Sequence, residues 1–292
     1  MANRFSVLIA AYKAGRYIAK ALESIRAQAH TDWEVVVVED GSRDETEEIV
    51  RRFAASVPQP VRYENFGVNR GVAAARSRLL ELAAGDAVAF LDADDWWTSA
   101  HLEQAKKSLD AGASFVVARI QEYDLAAARP LQSYSPSPAL FSDPVLSLFT
   151  SSLVRTSSCV AFQRALAARV GAFDASLRIN EDRDYWLRCA LAGAQFADNG
   201  EITCFYAKHA ASAMAHTLLW AQQEVAFHEK YLALSTIPLV VRRRALAHHL
   251  SNYGRLVRAQ DRAASRHALA KSLRLAPSLP AFLRWVRSAV LP

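Results

Sequence analysis

The stretch Gly85-Asp-Ala-Val-Ala-Phe-Leu-Asp-Ala-Asp-Asp-Trp-Trp97 joins a short apolar run to a cluster of acidic residues. The run from Ala87 to Leu91 contains β-branched and aromatic side chains and is bounded by a glycine and by acids, which predicts a buried strand. Asp92, Asp94 and Asp95 follow it directly. Because residues two apart in an extended chain share a face, we expect Asp92 and Asp94 to point together and Asp95 to point away from them.

Two carboxylates that converge at the end of a buried strand repel each other unless a cation lies between them. A hard divalent ion that also binds phosphate oxygens suits such a pair. The alternative interpretation is a solvated acidic turn, since an isolated Asp-x-Asp is usually no more than that. The rest of the chain is needed to choose between the two.

The composition indicates a globular chain of 292 residues with a basic C-terminal part, and 52% of the residues are hydrophobic. The net charge of +6 conceals a division, because the residues from Thr217 onward hold 12 Lys and Arg against 3 Asp and Glu, whereas the first 216 hold 23 against 26. We therefore predict a catalytic region, 1–216, and a basic helical region, 217–292, that meets an anionic surface.

The sequence also favours a cytoplasmic location, with peripheral attachment to the inner face of the membrane left open. No apolar run approaches the ~20 residues that span a bilayer, and the start of the chain lacks the apolar core of a secretory signal. The three cysteines are odd in number and not at metal-binding spacing, which favours reduced core thiols. They are Cys159, Cys189 and Cys204.

Apolar runs alternate with segments of helical periodicity through the first 120 residues. The four valines within Trp33–Val38 indicate a central strand covered on both faces. This alternation predicts an α/β fold of right-handed βαβ units, Rossmann-like, with a mostly parallel sheet flanked by helices. Ser42-Arg-Asp-Glu45 matches a capping box that would open a helix, and the Pro- and Ser-rich segment 129–144 predicts a long loop.

Ligands of such sheets bind beyond the carboxyl ends of the strands. Three predicted strand ends carry polar or acidic clusters: Ala11-Tyr12, Glu39-Asp40 and Asp92-Ala-Asp94. A nucleotide sugar fits this pattern, because Tyr12 can stack on a base, Asp40 can accept a hydrogen bond from it, and a metal on Asp94 can hold a pyrophosphate. A dinucleotide-dependent dehydrogenase is disfavoured, since Ala10–Gly15 lacks the glycine fingerprint.

A second acidic cluster opens a predicted helix at Asn180-Glu-Asp-Arg-Asp-Tyr-Trp-Leu-Arg188. The helix dipole favours carboxylates in a first turn, so an acidic helix start is one interpretation. The other is a general base that removes a proton from an attacking hydroxyl group. His209 follows the last predicted strand and is a candidate metal or phosphate ligand if the carboxylate site exists.

Six motifs in the first 215 residues resemble, in the same order, those of the family 2 glycosyltransferases, which have the GT-A fold. The motifs are Ser6-Val-Leu-Ile-Ala-Ala-Tyr12, Val37-Val-Glu-Asp-Gly-Ser42, Asn69-Arg-Gly-Val-Ala-Ala-Ala-Arg76, Leu91-Asp-Ala-Asp-Asp95, Gly171-Ala-Phe-Asp174 and Glu181-Asp182. The resemblance implies inverting, metal-dependent transfer of a sugar from a nucleotide sugar, with a UDP-sugar favoured. The acceptor would be a hydroxyl of a glycan or lipid-linked glycan in cell-envelope polysaccharide synthesis.

The resemblance also implies roles for single residues. Asp182 would be the catalytic base, and Mg²⁺ or Mn²⁺ would be bound by Asp94 with Asp92 and His209. The nucleotide would be bound by Ala11, Tyr12, Asp40, Arg76 and Asp92. On the acceptor and sugar side we place Glu181, Asp95 and Trp97, with packing of the site floor as the alternative for Asp95. Ala11 stands where relatives often have a hydroxyl residue, which removes a side-chain contact to the base.

Two other functions stay open beside the transferase. A sugar nucleotidyltransferase would need a glycine-rich basic loop after the first strand, which the sequence lacks. A catalytically silent GT-A scaffold that binds nucleotide sugars is disfavoured by the presence of Asp182. Nucleic acid is not an expected partner, because Arg242-Arg-Arg244 comes with no recognition motif.

The last segment of the basic region has one apolar face. That face holds Leu279, Phe282, Leu283, Val286 and Val290, with Arg284 and Arg287 beside Trp285. This pattern is typical of a helix lying on an anionic membrane, but also of a helical cap packed on a core, and both remain open. A homodimer formed by this appendage is a further expectation.

Overall fold

The computed structural model describes residues 4–209 and 217–290, with side chains as far as residue 287. Its described part holds nine strands joined in one sheet. The strands are β1 (Phe5–Ala11), β2 (Trp33–Glu39), β3 (Val61–Asn65), β4 (Ala87–Phe90), β5 (Trp96–Trp97), β6 (Phe115–Asp124), β7 (Arg129–Tyr134), β8 (Val160–Gln163) and β9 (Phe196–Lys208).

The sheet has the order β3-β2-β1-β4-β8-β6-β9-β5, and β7 pairs with β6. β1 to β4 are parallel to one another, as are β6 and β9. β5, β7 and β8 run antiparallel to their neighbours. The α/β class and the βαβ units of the N-terminal half are thus confirmed, and the carboxyl ends of β1, β2 and β4 lie at one edge.

Helices cover the sheet and then form the C-terminal region. They are α1 (Ile18–Arg26), α2 (Thr46–Ala54), α3 (Val72–Leu82), α4 (His101–Asp110), α5 (Pro138–Ser142), α6 (Pro144–Thr150), α7 (Arg164–Val170), α8 (Glu181–Leu191), α9 (Thr217–Lys230), α10 (Leu239–Val257), α11 (Arg262–Leu275) and α12 (Leu279–Val290). No helix in the described ranges is long and apolar enough to cross a membrane.

Two local predictions are wrong. The segment 129–144 is not a long loop, because β7 pairs with β6 as a hairpin and α5 begins at Pro138. The helix after β2 begins at Thr46 rather than at Ser42. Ser42 instead donates to the Glu39 carboxylate and accepts from the Lys13 backbone N–H at 2.8 Å. A tertiary partner thus replaces the capping box.

An aromatic cluster fixes α8 against the sheet. Trp186 packs edge-on against Phe90 of β4 and Phe115 of β6, with ring centroids 5.9 and 5.2 Å apart. Tyr185 stacks on Phe173 at 4.0 Å. All of these side chains are buried, so the packing holds the acidic first turn of α8 in one place relative to the sheet.

The described residues form two compact units. The first contains residues 4–175 and 181–209, and the second contains 176–180 and 217–290. The second unit has its own apolar core, which includes Leu246, Leu250 and Ala268. The predicted boundary at residues 216 and 217 stays a prediction, because residues 210–216 lie outside the described residues.

Replacing Gly85 with alanine is expected to destabilise the protein by about 1–3 kcal/mol, a typical cost of overpacking. A Cβ atom at Gly85 would lie 2.7 Å from the Arg4 carbonyl oxygen and 2.8 Å from the Ser6 nitrogen. Both are backbone atoms of β1 or its entry, so neither can move aside alone. Urea unfolding would measure the loss, with Ala84→Ser at the exposed neighbouring position as control. An unchanged midpoint for Gly85→Ala would contradict the prediction.

Candidate active site

The acidic residues after β4 form a tight turn, not a continued strand. The Asp95 N–H donates to the Asp92 carbonyl at 3.0 Å. Asp95 is fully buried, and its carboxylate accepts from Ser158 Oγ at 2.5 Å, Thr156 Oγ1 at 2.9 Å and the Ala207 N–H at 2.8 Å. The separation of Asp95 from the other two acids therefore comes from this turn and these partners, and not from strand alternation.

The burial of Asp95 and Trp97 favours packing of the site floor over the expected contact with the sugar or acceptor. Trp97 is 4% exposed, stacks on His101 at 4.1 Å and donates from Nε1 to the Ser158 carbonyl at 2.7 Å. Burial raises the pKa of Asp95 well above its ordinary value, with the charges of Asp94 and Asp92 adding to the effect. Both side chains belong to the floor beneath the acidic turn, and neither is available to a ligand.

Asp94 lies against His209 at the end of β9. His209 Nε2 is 2.9 Å from Asp94 Oδ2, and the imidazole stacks on Tyr17 at 4.6 Å. Burial raises the pKa of Asp94, the Asp92 charge raises it further, and the hydrogen bond with His209 partly offsets both. Two carboxylates under mutual repulsion beside an imidazole are a donor set that fits a Mg²⁺- or Mn²⁺-type ion.

Arg76 joins the two acidic clusters. Its guanidinium donates to Asp92 Oδ1 at 3.1 Å and to Glu181 Oε1 at 2.7 Å, and it is 6% exposed. Burial lowers the pKa of Arg76, but the charges of Asp92 and Glu181 raise it by more, so the group stays cationic. We expected Arg76 to contact the nucleotide and Glu181 to contact the acceptor. In the structure the two side chains bind each other.

Asp182 begins α8 next to this ion pair and is half-buried. Its Oδ1 accepts from the Arg183 backbone N–H at 2.6 Å. Burial raises the pKa of the Asp182 carboxyl, and the positive charge of Arg76 opposes that rise. A partly exposed carboxylate with a raised pKa and a fixed orientation has the properties of a general base.

The predicted base pocket lies at the ends of β1 and β2. Ala11 is 2% exposed and accepts from the Asp40 N–H at 2.7 Å, whereas Tyr12 is 49% exposed. The Asp40 carboxylate accepts from the backbone N–H groups of Arg70 and Gly71 at 2.6 and 2.9 Å. Asp40 therefore holds the loop before α3, and only its remaining lone pairs could meet a base.

Thr156, Ser158 and Tyr17 were not predicted from the sequence. Thr156 caps a short 3₁₀ helix, Ser157–Cys159, just before β8, and Ser158 lies within that helix. Thr156 Oγ1 also donates to Asp92 Oδ2 at 3.1 Å, and Ser158 Oγ accepts from the Asp92 N–H at 2.9 Å. The run Thr156-Ser-Ser158 before a strand was the available indication, but it does not reveal which carboxylates it meets.

The family model for glycosyl transferase family 2 matches residues 6–171, more than half of the chain. The chain belongs to glycosyl transferase family 2. The matched range includes the acidic turn, Asp40 and Arg76 but stops before α8. Membership confirms the family that the six motifs indicated.

Several curated relatives of this family 2 chain match over about a third of its length. They include an uncharacterised glycosyltransferase of Nostoc sp., 36% identical over 35% of this chain and 31% of that protein. TuaG of Bacillus subtilis, a putative teichuronic acid biosynthesis glycosyltransferase, is 36% identical over 34% of this chain and 39% of its own length. AmsB of Erwinia amylovora, an amylovoran biosynthesis glycosyltransferase, is 36% identical over 34% of each chain.

Solved structures share the fold of this family 2 chain over nearly its whole length. TarS of S. aureus in complex with UDP-GlcNAc has a TM-score of 0.70 and 18% identity, over 98% of this chain and 89% of that chain. The mannosyltransferase PcManGT of Pyrobaculum calidifontis, with GDP-Man and Mn²⁺, has a TM-score of 0.62 and 21% identity, over 98% and 84%. At these identities the likeness concerns the fold alone, and the predicted GT-A fold is confirmed.

Proposed function

We propose that this protein is an inverting, metal-dependent glycosyltransferase that moves a sugar from a nucleotide sugar to an acceptor hydroxyl. The observation that carries the proposal is the bridge made by Arg76. It ties Asp92 of the acidic turn to Glu181, the residue beside Asp182. One buried cation thereby joins a carboxylate of the acidic turn to the helix end that carries the half-buried candidate base.

In the proposed mechanism Asp182 takes the proton of the acceptor hydroxyl as its oxygen attacks the anomeric carbon. The nucleoside diphosphate leaves from the opposite face of the sugar, so the anomeric configuration inverts. Arg76 keeps Glu181 and Asp92 in place during the reaction. Mg²⁺ or Mn²⁺, when held by Asp94, Asp92 and His209, would offset the charge that builds on the departing phosphate oxygens.

For the donor we propose a UDP-sugar, with Tyr12 stacking on the base and Asp40 beside it. The exposed Tyr12 ring supports this arrangement, whereas Asp40, which accepts from two backbone N–H groups, would meet the base only through its remaining lone pairs. The neighbours of known structure bind UDP-GlcNAc in one case and GDP-Man in another. The acceptor would be a glycan or lipid-linked glycan of the cell envelope, as the names of the teichuronic acid and amylovoran relatives suggest.

A peripheral contact with an anionic membrane at the cytoplasmic face is part of the proposal. α12 exposes several apolar side chains beside basic ones. The apolar side chains, with their exposed fractions, are Leu279 (69%), Phe282 (48%), Leu283 (49%) and Trp285 (36%). Such a face suits a helix that lies in the headgroup region. It suits a homodimer contact as well.

Thermal unfolding with Mn²⁺ and a panel of nucleoside diphosphates and nucleotide sugars tests the function. A ligand present at 100 times its Kd should stabilise the protein by about 2.7 kcal/mol. We expect UDP and one UDP-sugar to raise the unfolding midpoint most, and slow hydrolysis of that sugar to follow.

Tyr12→Ala should weaken the shift, while Tyr134→Ala, at the end of the exposed β7, should not. Binding without hydrolysis or transfer would favour the silent scaffold, and a midpoint unmoved by every nucleotide would contradict the proposal.

A further inference from the structure

The helical unit holds a second cluster of metal-binding side chains, remote in sequence from the acidic turn. Glu224 and His228 lie four residues apart in α9 and therefore share one helix face. His249 comes from α10. One ligand atom from each of the three lies within 4.8 Å of the other two. We propose that Glu224, His228 and His249 bind a transition metal ion of the Zn²⁺ class.

The distances within the cluster are close to those of a metal site. Glu224 Oε2 is 3.6 Å from His249 Nε2 and 3.7 Å from His228 Nδ1. Ligands about 2.1 Å from a tetrahedral zinc ion are about 3.4 Å from one another. The two imidazole rings stack with centroids 4.3 Å apart and planes 21° apart. Small side-chain rotations would bring one nitrogen of each ring and one carboxylate oxygen around a single ion.

Neighbouring groups orient two of the three ligands. Asn180 Nδ2 donates to Glu224 Oε1 at 3.1 Å, while Oε2 is the oxygen that faces both histidines. His228 Nδ1 is 2.8 Å from the Glu224 carbonyl oxygen. A carbonyl oxygen only accepts, so this contact orients the His228 ring, and Nδ1 would exchange it for the ion that Glu224 Oε2 faces.

Burial and ligand type decide the class of ion. Glu224 is 5% exposed and His228 is fully buried. Because burial removes water from a charged or polar side chain, groups within the unit or a bound ion must interact with these two side chains. His249 has 22% of its side chain exposed, which leaves an approach for an ion and a position for water. Two imidazoles with one carboxylate is a ligand set of Zn²⁺ sites that keep one position open, whereas Mg²⁺ prefers oxygen ligands.

The ion would join α9 to α10 within this unit. A metal that binds the folded protein and not the unfolded chain stabilises the fold by mass action. The site therefore has an expected role in stability, separate from the chemistry proposed at Asp94 and Asp182. A plain Glu–His hydrogen-bonded cluster with no affinity for metal is the competing explanation.

The test uses the full chain with Asp94→Asn, so that zinc at the acidic turn does not confuse the count. With Zn²⁺ titrated in excess Mg²⁺, we expect one equivalent of bound zinc by calorimetry and elemental analysis. At 100 times the Kd, the unfolding midpoint should rise by about 5–10 °C. Co²⁺ in place of Zn²⁺ should give visible absorption bands of a four-coordinate site.

Adding His249→Ala should weaken zinc binding more than about 100-fold, because a direct ligand is lost. His248→Ala changes an exposed histidine next to it in the same helix and should leave the zinc affinity unchanged. Glu224→Gln should also weaken zinc binding. This second variant tests the site independently if His249→Ala folds poorly. No bound zinc in the Asp94→Asn protein, or equal zinc affinity with and without His249, would overturn the proposal. Neither outcome bears on nucleotide binding at the other site.

Discussion

Replacing Asp182 with asparagine is expected to lower the rate of sugar transfer about 10²–10⁴-fold, which is the usual contribution of a positioned general base. Asparagine has nearly the same shape, and its side-chain oxygen can still accept from the Arg183 N–H. The amide cannot take a proton from the acceptor hydroxyl. Binding of the nucleoside diphosphate and the unfolding midpoint should therefore stay close to those of the native protein.

Single-turnover rates and calorimetric titration with UDP and Mn²⁺ separate these two effects. Glu103→Gln is a matched control, because Glu103 is also a first-turn carboxylate and lies in α4. Loss of this carboxylate should change neither the rate of sugar transfer nor the affinity for UDP. If Asp182→Asn transferred sugar at the native rate, the assignment of the base would be wrong.

The pH dependence of transfer gives an independent check on Asp182. A general base works only when deprotonated, so the rate falls as the pH drops through its pKa. Burial raises the pKa of Asp182 despite the opposing charge of Arg76. The acid side of the native profile should thus lie above the range of an ordinary aspartate, and Asp182→Asn should remove that dependence on pH.

The sheet could be predicted because short-range sequence patterns identify its strands. β2 is buried at all seven positions, as its consecutive valines predict, and β1 and β4 follow the same pattern. Once these strands are parallel, their carboxyl ends meet at one edge, so Asp40 and Asp92 could be placed there from the sequence. Resemblance to a family then added Asp182 and His209, which no periodicity in the chain relates to the edge.

The direction of individual side chains was not predictable where distant partners decide it. Asp95 turns inward because the hydroxyl groups of Ser158 and Thr156, more than 60 residues away, donate hydrogen bonds to its carboxylate in the interior. Ser42 does not cap the helix because its hydroxyl group donates to the Glu39 carboxylate and accepts from the Lys13 backbone N–H instead. In each case a local pattern lost to a tertiary hydrogen bond that sequence spacing does not encode.

The charged partners of Arg76 were also not predictable from the sequence. The resemblance placed Arg76 at the nucleotide, yet the half-buried Asp92 carboxylate and the buried Glu181 carboxylate hold its guanidinium. A buried arginine without them would bear a large desolvation cost, so the pairing follows from burial itself. Burial at this position could not be inferred from the Ala-rich helix around it.

Asp94→Asn is expected to abolish the metal-dependent part of nucleoside diphosphate binding, a loss of at least about 100-fold if a direct ligand is removed. The change removes one of the two carboxylates proposed to hold the ion but keeps an oxygen for the bond to His209. Calorimetry with UDP would measure it, with Mn²⁺ and then with EDTA. In EDTA the native protein and Asp94→Asn should bind UDP equally weakly.

Asp124→Asn is the control for this substitution, since Asp124 lies at the end of strand β6 and accepts from two backbone N–H groups in a turn. It should bind UDP and Mn²⁺ as the native protein does. Undiminished metal-dependent binding by Asp94→Asn would count against the metal role of the acidic turn.

The stability of Asp94→Asn in EDTA distinguishes a lost ligand from a damaged fold. Burial and the Asp92 charge raise the pKa of Asp94, which means that its ionised form is disfavoured in the folded protein. A group with a raised carboxyl pKa costs stability above that pKa, and the cost disappears when the charge is removed. The metal-free variant should therefore unfold at a higher temperature than the native protein, by a few degrees. A metal-free fold that gains stability when one of these charges is removed is the expected behaviour of carboxylates kept together for binding.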